Sequence, residues 1–277
     1  ENLHQHRFYL AGRVMSSIRY GARSQEAIRN RELEATGRET WSDSLEAVYE
    51  TDPDVIAAVL PPPLEPGPEP LVRLNISTVT MPGNLVFGAG WFGVQACHGE
   101  VLGEYPLLMP MTTEQATVGG RETFGEPKKI AEIQAKREGN DIHSTIKRLG
   151  FTVAEIKGKI TGERDLISNE RIDFYFKLFP SPEGPTKLDG DPFIVHSKKS
   201  SRERKAEVVE GEVILGNSPL DPVSDLPIRK LRSITLSQRA TVVNARTVGT
   251  VPAENLIPFV HQRYDDLSVL GVKDTDD

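Results

Sequence analysis

The chain has 277 residues, of which 38% are hydrophobic and 26% are charged, a composition that excludes a disordered protein and is typical of a folded one. Its net charge of −7 argues against a nucleic-acid-binding protein, in which a basic face usually dominates. No apolar run approaches the roughly 18 residues of a membrane-spanning helix, and the single cysteine, Cys97, excludes an intramolecular disulfide and fits a reducing compartment.

The first 44 residues are polar and rich in arginine, and they contain one helical pattern, at 24–34. We expect them to form an N-terminal arm that packs on a partner subunit of a homo-oligomer. Residues 45–277 show no break in composition and predict one domain. Its first predicted element is a helix over 52–60, because Pro53 suits the first helical position.

Short apolar runs separated by glycines and prolines dominate the rest of the chain and predict β-strands. The clearest runs lie at 71–79, 85–87, 107–109, 172–179, 212–215 and 233–243. Apolar residues at helical spacing predict two more helices, at 130–137 and 253–264, and the basic run at 198–205 predicts a solvated loop. Many strands with few helices indicate a mostly antiparallel α+β fold.

Two adjacent lysines, Lys128 and Lys129, end the run at 119–129, which reads GGRETFGEPKK. A free lysine has a pKa of about 10.4 and is almost fully protonated near pH 7, whereas a nucleophilic lysine needs a neutral amine. Burial and a second ammonium nearby both disfavour the charged amine. The pair is therefore a candidate nucleophile with its activator, although adjacent lysines alone are also typical of a solvated surface.

Segments on both sides of the lysines carry a family pattern. They are VYETD at 48–52, LPPPL at 60–64, EPLVR at 69–73, FKLFP at 176–180 and PLDP at 219–222. In this order, together with the Gly-Arg-Glu and Pro-Lys-Lys of 119–129, they resemble the acetoacetate decarboxylase family over roughly residues 45 to 265. The resemblance implies a cone-like β-barrel with flanking helices and a homo-oligomer. It also implies that Lys128 forms a Schiff base with the substrate and that Lys129 promotes this by favouring the neutral amine of Lys128, as is well known for this family.

Three positions depart from the family's decarboxylases. Asn75 and Ala89 stand where the family carries glutamates, and Ser42 aligns with a family arginine. Those charged groups position the substrate acid and handle protons in the family. The resemblance therefore implies that much of the polar set around the lysines is missing here, and that the substrate differs from acetoacetate.

The substrate pocket is expected to contain six residues besides the two lysines. They are Asn75, Ala89, Trp91, Arg121, Glu122 and Glu126. Arg121 and Glu122 are adjacent in a predicted strand and so point to opposite faces, which gives one of them a structural role. A carboxylate at Glu126 would stabilise a charged lysine and oppose its activation unless it points away.

Other motifs do not indicate a cofactor. The run at 88–93 fits G-x-G-x-x-G, but no helix and acidic residue follow it as a dinucleotide site requires. His98 and Glu100 share one face of a predicted strand, and two ligands do not make a metal site. We predict no nucleotide, metal or other cofactor, and a cytoplasmic protein without nucleic-acid or membrane partners.

A Schiff base on Lys128 supports several reactions, and the surrounding groups choose among them. We expect a carbon–carbon lyase that decarboxylates a β-keto acid through an imine and an enamine, because decarboxylation requires the least assistance from the residues around the lysine. Aldolase–dehydratase chemistry on an oxo acid and an aldehyde is one alternative, since relatives with altered pockets take that path. A protein that binds a carbonyl compound without converting it is another, suggested by the apolar stretch at 85–92.

Overall fold

The computed structural model describes residues 20–35, 39–81, 85–184 and 186–271. The chain divides into two units, Glu1–Arg38 and Glu39–Asp277. In the first unit, helix α1 spans Gln25–Ala35 and confirms the helix predicted there, while residues 1–19 of the predicted arm lie outside the described residues. Packing of the arm on a partner subunit stays a prediction.

The second unit is built mainly of strands. They are β1 (Thr40–Glu50), β2 (Leu64–Pro66), β3 (Leu71–Met81), β4 (Leu85–His98), β5 (Val101–Met111), β6 (Lys128–Ile130), β7 (Glu132–Glu138), β8 (Asp141–Arg148), β9 (Phe151–Glu163), β10 (Ser168–Lys177), β11 (Phe193–Leu215) and β12 (Lys230–Thr250). The helices are α2 (Pro53–Val59), α3 (Glu114–Phe124), α4 (Ala253–Leu256) and α5 (Val260–Arg263). Strand β1 begins before the domain boundary expected at residue 45.

Seven strands pair side by side into a closed ring. Around the ring their order is β5, β4, β3, β1, β12, β11 and β10, and β10 pairs again with β5. Neighbours are antiparallel except for β10 and β5, which pair in parallel. Strands β9, β8 and β7 continue the sheet outward from β11. The predicted α+β class with mostly antiparallel strands is confirmed.

Alternate residues of the ring strands face opposite sides of the sheet, as strand geometry requires. One set is apolar and almost fully buried, and includes Leu45 and Leu74, which belong to one core cluster with Ile156 of β9. Burial of each such side chain contributes roughly 1.5–3 kcal/mol. The other set contains polar residues such as Asn75 and Ser77 and faces the inside of the ring.

Besides the strand expected at Arg121 and Glu122, three predicted elements are wrong. The segment at 130–137 forms strands, and the turn at Gly139, with a φ of 61°, folds β7 back onto β8. The basic run at 198–205 lies within β11, where alternate side chains point into the ring rather than into solvent. The helix expected at 253–264 is broken into α4, a 3-10 turn and α5, because Pro258 has no amide hydrogen to continue a helix.

The helix predicted at 52–60 and the six predicted strand runs are confirmed. Helix α2 lies where a helix is expected, and each of the six expected strands overlaps a longer strand of the structure. The glycine-rich run at 88–93 is the middle of β4 and not a phosphate-binding turn. Across the described ranges, none of the helices combines the length and apolar character needed to span a bilayer.

Candidate active site

A cavity of about 270 Å³ lies inside the ring, and all seven ring strands contribute side chains to its wall. Four of the expected pocket residues, Asn75, Ala89, Trp91 and Glu126, line it together with Lys128. The volume lies near the lower end of the range for small-molecule sites. The cavity therefore suits a small substrate.

Helix α3 and the turn after it bring Lys128 to this cavity. Thr113 caps the helix N-terminus with its side-chain oxygen, and the helix ends at Gly125, whose φ of 83° favours glycine. The chain then enters β6, where Lys128 pairs in parallel with Met109 of β5. Arg121 donates a hydrogen bond to the Lys128 carbonyl oxygen at 2.9 Å, and this bond holds the lysine strand against the helix.

The Lys128 amine lies in the cavity beside a carboxylate. Its side chain is 15% exposed, and Nζ lies 2.7 Å from Oε2 of the buried Glu126. Trp91 and Met109 form an apolar cluster in the same wall. Gly120 of α3 packs against the ends of both charged side chains, since a Cβ there would lie 2.1 Å from Glu126 Oε2 and 2.6 Å from Lys128 Nζ. An amine and a carboxylate in contact can serve as nucleophile and proton-transfer group.

Two buried donors in the cavity wall have no hydrogen-bond partner among the described residues. They are Nδ2 of Asn75 and Nε1 of Trp91, which occupy paired positions of β3 and β4, and each residue is 5% exposed. A buried donor without an acceptor costs about 1–3 kcal/mol. A substrate oxygen would remove that cost, so both side chains are candidate substrate-binding groups.

Lys129 points to the opposite face of β6, as alternation along a strand requires. Its Nζ lies 2.9 Å from Asp221 Oδ1 and 3.0 Å from Asp265 Oδ1, and Arg148 bonds to the second oxygen of each aspartate. Burial acts to raise the pKa of Asp265, but hydrogen bonds from Arg148 and Lys129 outweigh it and lower the pKa. Two cations and two carboxylates balance in this cluster. Activation of Lys128 by Lys129 stays a prediction.

Arg121 and Glu122 lie in helix α3 and not in a strand, so that expectation is wrong, and neither side chain lines the cavity. Arg121 instead bonds to backbone carbonyl groups, and Glu122 is exposed on the helix. The sequence does not predict this helix because it contains Gly119 and Gly120, and glycine is a poor helix former. The available signals were the capping threonine before it and Gly125 after it.

Seven charged residues that the sequence analysis does not place in the pocket line or border the cavity. They are four cations, Arg73, Arg171, Lys199 and Arg239, and three carboxylates, Glu46, Glu104 and Asp173. Arg73 Nε lies 3.1 Å from Glu104 Oε1, whereas Arg171 Nε and Lys199 Nζ lie 2.8 and 2.5 Å from the two oxygens of Asp173. The expectation that the polar set is largely missing is therefore wrong.

Two of these charged residues lie directly opposite, on a neighbouring strand, a position at which the family carries a charged residue. Arg239 is the cross-strand partner of Ser42, and Glu46 is that of Asn75. Directly opposite residues share one face of a sheet, with Cβ atoms about 4.5–5.5 Å apart. Burial acts to raise the pKa of Glu46, but Arg73 and Arg239 outweigh it and lower the pKa to about 2. An arginine and a carboxylate are therefore present at this part of the wall, but they lie on the strands next to those that carry Ser42 and Asn75.

His98 and His196 contact each other outside the cavity that contains Lys128. His98 Nδ1 is 2.8 Å from His196 Nε2, and neither ring lines the cavity. In the part of the chain that the structure describes, no three His, Cys, Asp or Glu side chains form a group that could hold a metal ion. The absence of a metal or other cofactor stays a prediction.

Comparisons with known proteins agree with one another. A family model described as Acetoacetate decarboxylase (ADC) matches residues 27–250. Acetoacetate decarboxylase 1 of Bradyrhizobium diazoefficiens is 28% identical over 197 residues, which cover 67% of this chain and 75% of that protein. The solved structure of an acetoacetate decarboxylase-like enzyme from Sphingomonas wittichii RW1 gives a TM-score of 0.68 at 18% identity, covering 77% of this chain and 93% of that one. The enduracididine biosynthesis enzyme MppR complexed with pyruvate gives 0.65 at 16% identity, covering 76% and 89%. The two solved structures show that the fold of this chain is similar to theirs.

Proposed function

Because the chain belongs to the acetoacetate decarboxylase family, we propose that it is a carbon–carbon lyase that binds an oxo acid as a Schiff base on Lys128. The observation that carries this proposal is the pair inside the ring, in which Lys128 Nζ lies 2.7 Å from Glu126 Oε2 and the lysine side chain is only 15% exposed. A solvent-exposed amine would argue against catalysis. The segment 119–129, which contains Lys128, also resembles the family's active-site motif.

Decarboxylation of a β-keto acid is the first candidate reaction. The neutral Lys128 amine attacks the carbonyl carbon, and the resulting carbinolamine takes a proton on its hydroxyl group and loses water to become a protonated imine. The bond to the carboxylate on the neighbouring carbon breaks, CO2 leaves, and the electron pair moves into the imine to form an enamine. Protonation of the enamine carbon and hydrolysis of the imine release the ketone. Each turnover takes up one proton and releases one CO2.

Glu126 is the candidate proton-transfer group in this sequence. Its carboxylate is within hydrogen-bond reach of the amine, the distance that general acid–base catalysis requires. It can accept the proton that Lys128 must lose and return it to the carbinolamine hydroxyl or to the enamine carbon. The carboxylate that opposes activation as a fixed charge therefore promotes the reaction as a proton carrier.

Aldolase–dehydratase chemistry is the second candidate, and the cations of the cavity favour it. The imine of a 2-oxo acid loses a proton from its neighbouring carbon to give an enamine, and this enamine attacks an aldehyde carbon. The new hydroxyl group takes up a proton and leaves as water, and hydrolysis of the imine releases an unsaturated oxo acid. Arg171 lines the cavity and could hold a carboxylate that is not lost. The structural neighbour complexed with pyruvate supports the proposal that this fold accepts a 2-oxo acid.

The test is to supply the protein with 3-oxo acids, and separately with 2-oxo acids and an aldehyde, and to identify products by mass spectrometry. We expect product from the wild type and none from Lys128→Ala, whereas Lys187→Ala, at a side chain 60% exposed, keeps the wild-type rate. Release of CO2 without an aldehyde identifies the decarboxylase, and an unsaturated oxo acid identifies the aldolase–dehydratase. Ligand binding without conversion would support the non-catalytic alternative instead. A homo-oligomer and a cytoplasmic location stay predictions.

A further inference from the structure

Lys128 and Arg239 project into the cavity from opposite walls. Lys128 lies on β6, which pairs with β5, and Arg239 lies on β12. From β5, strand β12 is three strands away through β10 and β11 and four strands away through β4, β3 and β1. In a ring of seven strands, this is the far side. A ligand that touches both residues must therefore carry two functional groups separated by a chain of atoms.

Arg239 has few hydrogen-bond partners in the cavity wall. A guanidinium has five N–H donors, and among the described residues Glu46 is the one acceptor of a hydrogen bond from Arg239, at 3.1 Å. That carboxylate is shared with Arg73, which also bonds twice to Glu104. The Arg239 side chain is only 17% exposed. A buried charge with so few partners is costly unless a ligand supplies the missing acceptor.

The charge around Arg239 also lacks compensation. Burial lowers the pKa of Arg239, and the neighbouring Arg171 and Arg73 act in the same direction, against the opposing effect of Glu46. Within the part of the chain that the structure describes, four cations, Arg73, Arg171, Lys199 and Arg239, form ion pairs with three carboxylates, Glu46, Glu104 and Asp173. One further negative charge would balance this network. A carboxylate suits a guanidinium because the two groups can form paired hydrogen bonds.

The carboxylate that leaves as CO2 is not suited to the position beside Arg239. It must sit on the carbon next to the imine and therefore near Lys128, whereas Arg239 lies on the far side of the ring. A salt bridge to the leaving group would also stabilise the substrate more than the transition state, in which the charge moves into the enamine, and would slow the reaction. The guanidinium is better suited to an acid group that the substrate keeps.

We propose that Arg239 binds a second carboxylate, which the substrate retains throughout the reaction, so that the substrate is an oxo dicarboxylic acid. This proposal rests on the proposed Schiff base at Lys128 and adds the substrate class. The retained carboxylate meets Arg239 beside its cross-strand partner Ser42 and near Thr241, both of which line the cavity. The carbonyl carbon then lies at the opposite wall, within reach of the lysine.

The experiment compares 4-oxopentanoate with 2-pentanone, two ketones of equal length that differ only in a terminal carboxylate or methyl group. Borohydride traps the imine, and intact-protein mass spectrometry gives the ketone concentration for half-maximal labelling. For the wild type we expect half-maximal labelling at a 4-oxopentanoate concentration about 10- to 100-fold lower than for 2-pentanone, the range of charge-assisted hydrogen bonds. Arg239→Met should remove this preference and still be labelled by 2-pentanone, while the control Arg246→Met, at an exposed position of the same strand, should keep it.

The outcomes separate the two proposals. Equal labelling of the wild type by both ketones, or a preference that survives in Arg239→Met, would overturn the diacid inference alone. No adduct with either ketone would overturn the Schiff base and this inference with it. Because Arg239→Met leaves Glu46 with one cation fewer, the double variant Arg239→Met/Glu46→Gln also removes that carboxylate charge and returns the network to its wild-type net charge. It too should be labelled by 2-pentanone without preferring the acid.

Discussion

A single methyl group at Gly120 should disable the site while leaving the fold intact. In Gly120→Ala the new Cβ would lie 2.1 Å from Glu126 Oε2 and 2.6 Å from Lys128 Nζ, whereas ordinary contacts begin at 3.4 Å. The carboxylate oxygen must therefore move by about 1 Å. Both atoms end flexible side chains, so we expect the charged groups to move rather than the backbone. Alanine is also favoured over glycine in a helix by about 1 kcal/mol.

The expected result is a protein of unchanged or slightly higher melting temperature whose turnover falls by about 100-fold, the loss that a 1 Å misplacement can cause. Gly119→Ala is the matched control, because it lies in the same helix and a Cβ there meets nothing within 4 Å. It should gain stability and keep full turnover. Melting curves and product formation are measured for both variants. Full turnover in folded Gly120→Ala, or unfolding of that variant alone, would refute the reasoning.

Three further substitutions test the charged groups. Glu126→Gln should still form the borohydride-trapped imine but lose about 10²- to 10⁴-fold in turnover; an unchanged rate in a product assay would exclude it as proton carrier. Lys129→Met should cost about 3–5 kcal/mol in a urea titration, because the buried Asp221 and the partly buried Asp265 keep one cation, and unaltered stability would contradict the structural role. For Glu46, the fall in pKa from 4.5 to about 2 contributes at most about 3 kcal/mol to the free energy of unfolding. This contribution is fully present above pH 4.5 and is lost as the pH falls towards 2. Acid titrations of the wild type and Glu46→Gln should converge over that interval, and a constant difference would argue against this assignment.

The ring of strands could be predicted because its apolar runs are short and separated by turn residues. Its lysine could be predicted because the segment around Lys128 resembles a family motif. The charged wall could not, since Lys199 occurs in a basic run that also suits a solvated loop, and only the pairing of β11 with β10 and β12 directs it inward. The same holds for Arg239, whose place beside Ser42 depends on register between strands about 190 residues apart.

The most direct test of the central claim is to locate the modified lysine after borohydride reduction with an oxo acid, by tandem mass spectrometry of the peptides. Two lysines, Lys128 and Lys199, line the cavity, so the measurement distinguishes between two buried amines. We expect the adduct on Lys128 in the wild type and in Lys199→Met, and no adduct in Lys128→Met. An adduct on Lys199, or one that persists in Lys128→Met, would contradict the assignment of Lys128 as the Schiff-base residue.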